Sequence, residues 1–157
     1  MLVLSAKLFF AAVMIWAAAS DLTTMTIPNR IVMVLFAGFV ILAPLTDVQM
    51  FQAAAGGTIA LLISFILFSR GWIGGGDAKL VAVAGLWIGV DQLGLFLLTT
   101  SLFGAILTLA VLMFRAVTLQ PYLSDLTWVA RLHRPGGGIP YGVAIAGAGC
   151  AVLIGTP

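Results

Sequence analysis

Gly74-Gly75-Gly76-Asp77-Ala78-Lys79-Leu80 is a polar, glycine-dense break between two apolar runs, Ile63 to Phe68 before it and Leu80 to Val90 after it. Both of its features are costly in membrane-grade sequence. An Asp at the centre of a spanning helix costs roughly 2.5 to 3.5 kcal/mol, and each helical glycine gives up about 1 kcal/mol against alanine. Glycine also lets another backbone approach closely and permits positive φ. Accepting both penalties side by side points to a carboxylate placed beside something that must come near. A plainer reading is a glycine turn between helices with Asp77 as a solvated cap. The stretch alone does not separate the two.

The surrounding composition is that of a membrane protein. The 157 residues are 62% hydrophobic and 8% charged, with a mean hydropathy of +1.22, against about 45–50% apolar and about 25% charged for a soluble domain. The expected fold is all-α: a polytopic integral membrane protein of about six transmembrane helices, forming a single membrane-embedded domain over residues 1–157. There is no Glu, and the net charge of +2 is too small and too scattered for a nucleic-acid partner. Cys150 is the single cysteine, so neither an internal disulfide nor a CxxC zinc site is available. It reads as a small packing residue.

Six apolar runs follow one another. The first, Leu2 to Ala19, also fits a secretory signal ending at Ala17-Ala18-Ala19. Lys7 lies deep for such a signal and the run delivers Asp21, so a retained helix is the preferred reading. Pro28 biases Ile27 away from helix, and Asn29 can cap the second span, Ile31 to Leu45. Met50 to Phe68 is the third span, with Ala53-Ala54-Ala55-Gly56-Gly57 suited to close packing in lipid. Leu80 to Val90 is about half the ~20 residues needed to cross a bilayer. Either it tilts within the bundle, or its helix begins near Asp77 and the membrane thins there. Leu93 to Phe114 is the fifth span and Ile139 to Ile154 the sixth. Between them Pro121 can open a surface helix bearing Tyr122, Leu126, Val129 and Ala130 on one face, with Arg131, His133 and Arg134 at its end. A plain loop is the other reading. Arg30, Arg70, Lys79, Arg115, Arg131 and Arg134 all fall in the first, third and fifth connections. The positive-inside rule therefore places those connections in the cytoplasm. Asp21 and Asp77 then emerge on the same side.

Two aspartates at neighbouring helix ends can share one proton, because like charges about 3 Å apart cannot both ionise. The ionised member takes a proton from water as general base, and the protonated member polarises a scissile carbonyl. That is peptide hydrolysis with no metal and no cofactor. A substrate that is itself a membrane helix must unwind first, and its freed backbone groups need partners. The glycines beside Asp77 can supply them as a strand addition.

The motifs resemble those of a known family. Gly74-Gly75-Gly76-Asp77-Ala78-Lys79-Leu80 is similar to the GxGDxKL signature of the type IV prepilin peptidases, which are GxGD intramembrane aspartic proteases. Asp21 ahead of Ile27-Pro28-Asn29 resembles the family's first-aspartate motif, and Pro140-Tyr141-Gly142-Val143-Ala144-Ile145-Ala146 resembles its PYGxAIA stretch. The resemblance implies that Asp21 and Asp77 are the catalytic pair. Gly74, Gly75, Gly76, Lys79, Pro28, Asn29, Pro140, Tyr141 and Gly142 stand in motif or substrate-positioning places. It implies a prepilin substrate with a basic leader and a hydrophobic helix, cut at the cytoplasmic face of the bacterial inner membrane, and partners in the lipid bilayer and the pilus assembly or secretion machinery. Larger members also carry paired CxxC motifs and methylate the new N-terminus. Nothing here matches that segment, which leaves methylation open, and the short form is similar to Flp/Tad-type peptidases. Thr24-Met25-Thr26 departs from the basic residues common at that place.

The supporting residues have plainer readings as well. Lys79 either snorkels to headgroups or steadies a nearby carboxylate. Pro28 and Asn29 mark a helix start, Pro140 and Tyr141 an interfacial helix entry, His133 the surface, and Asp47, Asp91 and Asp125 solvated loops. The alternative function is a small ion-coupled transporter or channel subunit using Asp21 and Asp77. It expects the carboxylates deeper in the spans and an internal repeat.

Overall fold

The computed structural model describes residues 1–46, 48–120 and 125–155. It is built of helices: α1 (Leu2–Thr24), α2 (Asn29–Leu42) with a 3-10 turn at Ala43–Leu45, α3 (Met50–Ser69), α4 (Gly75–Ala116), α5 (Thr127–His133) and α6 (Tyr141–Gly155). The helices α1, α3 and α4 are each long and apolar enough to cross a membrane, and α2 and α6 are shorter apolar helices. An all-helical polytopic membrane fold is the outcome the composition dictates, because backbone groups in lipid must be satisfied within their own segment.

The helix α4 contains two of the expected six runs. Gly89 interrupts it with φ 75° and ψ 168°, a region that is essentially glycine-only. The N-terminal end of α4 lines one cleft with Gly137 and Gly138, and Arg115 in its last turn bonds the Gly138 carbonyl. Both ends of this 42-residue helix therefore lie at the same end of the molecule. The chain reverses at Gly89, with arms over residues 75–88 and 90–116. The fourth connection expected around Asp91 is thus a single-residue hairpin, and Asp91 is an exposed residue of the second arm. The short fourth run also gains a turn. Its helix starts at Gly75, before Asp77, as the second of the two readings of its length requires.

Packing follows from the small residues. The first arm of α4 lies along α3 so closely that a β-carbon on Gly85 would stand 2.6 Å from Ala60 Cβ, and one on Gly56 would stand 2.7 Å from the Gly85 carbonyl oxygen. Ser64, buried in α3, donates to the Ala78 carbonyl at 3.1 Å. The second arm packs on α6 through Phe103 against Gly147 and Thr108 against Tyr141. At the end away from that cleft Trp87 gathers three aromatic rings, those of Phe9, Phe10 and Phe39, with centroids 6.1, 5.5 and 5.7 Å away. Its indole N–H donates to the Leu35 carbonyl at 3.1 Å. The fully buried Phe10, Met14, Ile31, Leu35, Leu80 and Phe96 fill the middle.

The hairpin at Gly89 gives the first prediction. Gly89→Ala should cost about 1 to 3 kcal/mol, the range for a side chain forced into such a backbone region. Gly94→Ala, where an added β-carbon meets open space, should be neutral or stabilising by up to about 1 kcal/mol. Thermal unfolding midpoints in detergent would separate them.

Candidate active site

The chain around Asp21 is turned by local chemistry. Met25 ends α1 in the left-handed conformation, φ 56° and ψ 30°, and its N–H donates to the Asp21 carbonyl at 2.8 Å. Pro28 then sits extended at φ −61° and ψ 143° as the cap of α2. Ile27 is buried between them, and it seats the first turn of α4: a β-carbon on Gly76 would lie 3.1 Å from Ile27 Cβ.

Asp21 belongs to the last turn of α1 and is only 6% exposed. A carboxylate there opposes the helix dipole. Its compensation comes from another helix. The first amides of α6 have no partner inside α6, and the Gly142 N–H donates to Asp21 Oδ2 at 2.7 Å. A β-carbon at Gly142 would stand 2.8 Å from that oxygen and 2.9 Å from Ile27 Cδ1. Only glycine allows the approach.

Asp77 occupies the mirrored place, in the first turn of α4. Its carboxylate takes the backbone N–H of Gly74, and it lies near enough to Asp21 for the two charges to interact. Both aspartates line a cleft of about 540 Å³, walled on one side by 71–74 and on the other by Gly137, Gly138, Ile139 and Tyr141. The arrangement holds two acceptor-rich carboxyl groups, one buried and one half-buried, beside an open cleft.

The supporting residues sort themselves by contact. Gly74 and Tyr141 line the cleft. Pro140 is buried at the entry to α6, and the Tyr141 hydroxyl meets Thr108 Oγ1 at 3.2 Å. Gly75 packs toward Phe68. Gly75 and Gly76 are helical, and only Gly74 is extended. The glycine motif is therefore a helix start, and the edge imagined for strand addition is not formed by it. Lys79 donates to Asn29 Oδ1 at 2.9 Å, joining α4 to α2, which is neither of the two roles read for it. Asn29 does not cap α2; Pro28 does. Asp125 is exposed, whereas Asp47, Pro121 and Tyr122 lie outside the described residues. His133 is half-buried, bonded from Nε2 to the Val117 carbonyl at 2.8 Å, with its ring edge-on to Phe114.

A family model described as "Type IV leader peptidase family" matches residues 8–109, which include both aspartates. The chain belongs to this family. A relative, the prepilin leader peptidase/N-methyltransferase of Bacillus subtilis (strain 168), is 35% identical over 119 residues, with 71% of this chain and 47% of that protein covered. The chain thus spans about half the length of the curated relative it matches. No solved structure matches the chain. The leader peptidase match stops short of Pro140-Tyr141-Gly142, yet it is that stretch which hydrogen-bonds Asp21.

Sequence reasoning missed Met25, Ser64 and Arg115. A methionine in the left-handed region has no sequence signature. A serine inside a spanning run is a weak sign of an interhelical bond, and it was the available hint for Ser64. Ser64→Ala should cost about 0.6 kcal/mol and at most about 1.7, the measured span for such bonds in membranes. It should also loosen the turn that carries Asp77, which an unfolding curve with matched hydrogen exchange of 76–80 would show.

Proposed function

We propose that this chain is a membrane-embedded aspartic endopeptidase that removes the leader from type IV prepilins, with Asp21 and Asp77 as its catalytic pair. The observation that carries the reading is the meeting of these two carboxyl groups in one cleft, Asp21 held by the Gly142 amide of α6 and Asp77 by the Gly74 amide at the start of its own helix. Family membership supplies the reaction class.

In the reaction one carboxyl is protonated and the other ionised. The carboxylate removes a proton from a water molecule as its oxygen attacks the scissile carbonyl carbon, and the acid gives its proton to the carbonyl oxygen. The tetrahedral adduct then collapses. The C–N bond breaks, and the leaving amine takes the proton now on the first carboxyl, while the second recovers its own. The Gly142 amide keeps Asp21 oriented throughout, as a charge-assisted donor. Exposed backbone of 71–74 and 137–139 borders the pair. Those connections, rather than the helical Gly75 and Gly76, are the surfaces against which an unwound substrate stretch would lie.

The cytoplasmic placement of the site rests on charge. Arg115 and Arg131 contact the segments around the cleft, and Lys79 joins Asn29 beside it. Asp91, by contrast, follows the hairpin at the opposite end. An inner-membrane, multi-pass orientation with the cleft inward satisfies the positive-inside rule. The substrate class follows from the same reading: a basic leader ahead of an apolar helix, with Flp-like prepilins first on the motif resemblance. The ion-pathway alternative expects carboxylates in mid-span, and both stand in terminal turns. It gains nothing from the structure.

Asp21→Asn and Asp77→Asn keep size and polarity but cannot cycle a proton. Each should reduce cleavage of a co-expressed Flp-like precursor by at least about 10³-fold, roughly the loss expected when general acid–base catalysis is removed. Immunoblots of membranes with matched protein levels would show it. Full processing by either variant would overturn the dyad, and processing of longer type IV precursors but not Flp-like ones would overturn the substrate preference.

A further inference from the structure

Beyond the aspartates, a cation stands behind the wall of the cleft and bonds one of the residues that form it. Arg115 stands in the last turn of α4, where positive charge complements the helix dipole. Its Nε donates to the Leu132 carbonyl at 2.8 Å and its Nη2 to the Gly138 carbonyl at 2.7 Å. The same Nη2 presses on Gly137, where an added β-carbon would lie 3.3 Å away. Around it the segment 134–140 runs without regular secondary structure. Gly136 takes φ 73°, and the segment's bonds to other backbone groups are short-range: Arg134 to Arg131, Gly137 to Arg134, Tyr141 to Ile139 and Val143 to Pro140. On the other side Arg131 donates to the Thr23 carbonyl at 3.0 Å, which ties α5 to the end of α1.

This segment connects directly to the candidate site. Gly137, Gly138 and Ile139 wall the cleft, buried Pro140 follows, and two residues later the Gly142 amide holds Asp21. The fixed φ of proline transmits the placement of Gly138 to the start of α6 with little slack. A planar guanidinium bonded to two carbonyls fixes direction as well as distance, which a lysine ammonium does not.

We propose that Arg115 is a positioning residue: by clamping the Leu132 and Gly138 carbonyls it sets the 137–139 wall and keeps the Gly142 N–H on Asp21. The proposal rests on the peptidase reading for its kinetic consequence, so the test has one arm that depends on activity and one that does not. Both use the full chain in lipid nanodiscs, with an Flp-like precursor peptide bearing a basic leader and apolar helix as substrate. Asp77→Asn serves as the blank and Arg70→Gln as the charge control, since Arg70 is exposed at the end of α3.

Arg115→Gln should lower kcat by about 10- to 100-fold, the scale of a misplacement near 1 Å, with an unchanged melting midpoint. Arg115→Lys should recover part of the loss and Arg70→Gln should match wild type. Because Arg115 and Gly142 act on one contact, the double variant Arg115→Gln/Gly142→Ala should be no slower than the slower single variant. In the second arm, the amides of 137–142 should exchange with deuterium at least about tenfold faster in Arg115→Gln, as local opening there becomes easier. The proposal is overturned if exchange at 137–142 is unchanged, or if the two kinetic losses multiply. Should the glutamine variant fail to accumulate, the lysine variant carries the same comparisons. A wild-type protein that cleaves nothing, with faster exchange in Arg115→Gln, would sink the peptidase reading and leave the clamp standing.

Discussion

Two helix starts leave backbone amides with no carbonyl partner in the turn before them, and an aspartate answers each, one from another helix and one from the same helix. The Gly142 N–H at the start of α6 is met by Asp21, and the Gly74 N–H at the start of α4 by Asp77. In lipid an unpartnered amide costs more than in water, so these bonds are constraints on the fold before they are features of a site. Each brings a carboxyl group to a fixed place. The Gly142–Asp21 bond, which joins α6 to α1, helps close the bundle at this end and orients one of the acids, and the Gly74 bond orients the other.

The approach is possible because side chains are missing where helices meet. Gly142 leaves room for Asp21, Gly76 for Ile27, and the pairing of Gly56 with Gly85 draws α3 against α4. Towards the Gly89 hairpin, where Gly56 meets Gly85, Trp87 and its aromatic neighbours also fill space and pin α1, α2 and α4 together. One end is packed with rings. The other keeps a cleft bordered by Gly71, Gly74, Gly137 and Gly138.

Much of this was legible in the chain. The apolar runs, the aspartates at their margins and the order of the three motifs mark the membrane fold and the candidate pair, because those signals are local and repeat at helical spacing. The helix start beside Asp77 was readable locally, whereas the closing role of Gly142 needed a partner far along the chain. Lys79 illustrates the limit: a cation beside an aspartate suggests a charge role or a headgroup contact, and its actual partner is the neutral side chain of Asn29. The single-residue reversal at Gly89 was equally hidden. Asp91-Gln92 looks like an ordinary polar loop, and nothing in composition says that one positive φ can replace it. Arg115 read only as one more positive charge on one side, since carbonyl partners have no identity in a sequence.

The hairpin at Gly89 leaves the bundle uneven. At about 1.5 Å per residue, the arm over 75–88, the 14 residues of α2 and the 15 of α6 each reach about 21 to 23 Å, while a bilayer core is about 30 Å thick. The 23 residues of α1 and the second arm of α4 are long enough for that distance. Lipid beside the short helices must compress or tilt its chains to cover them, at a fraction of a kcal/mol per Å. The arm over 75–88 and α6, which both start at the cleft, are therefore short for a core of that thickness, as is α2. A bilayer fitted to these helices would be thinner on that side, and water would reach lower beside the two aspartates.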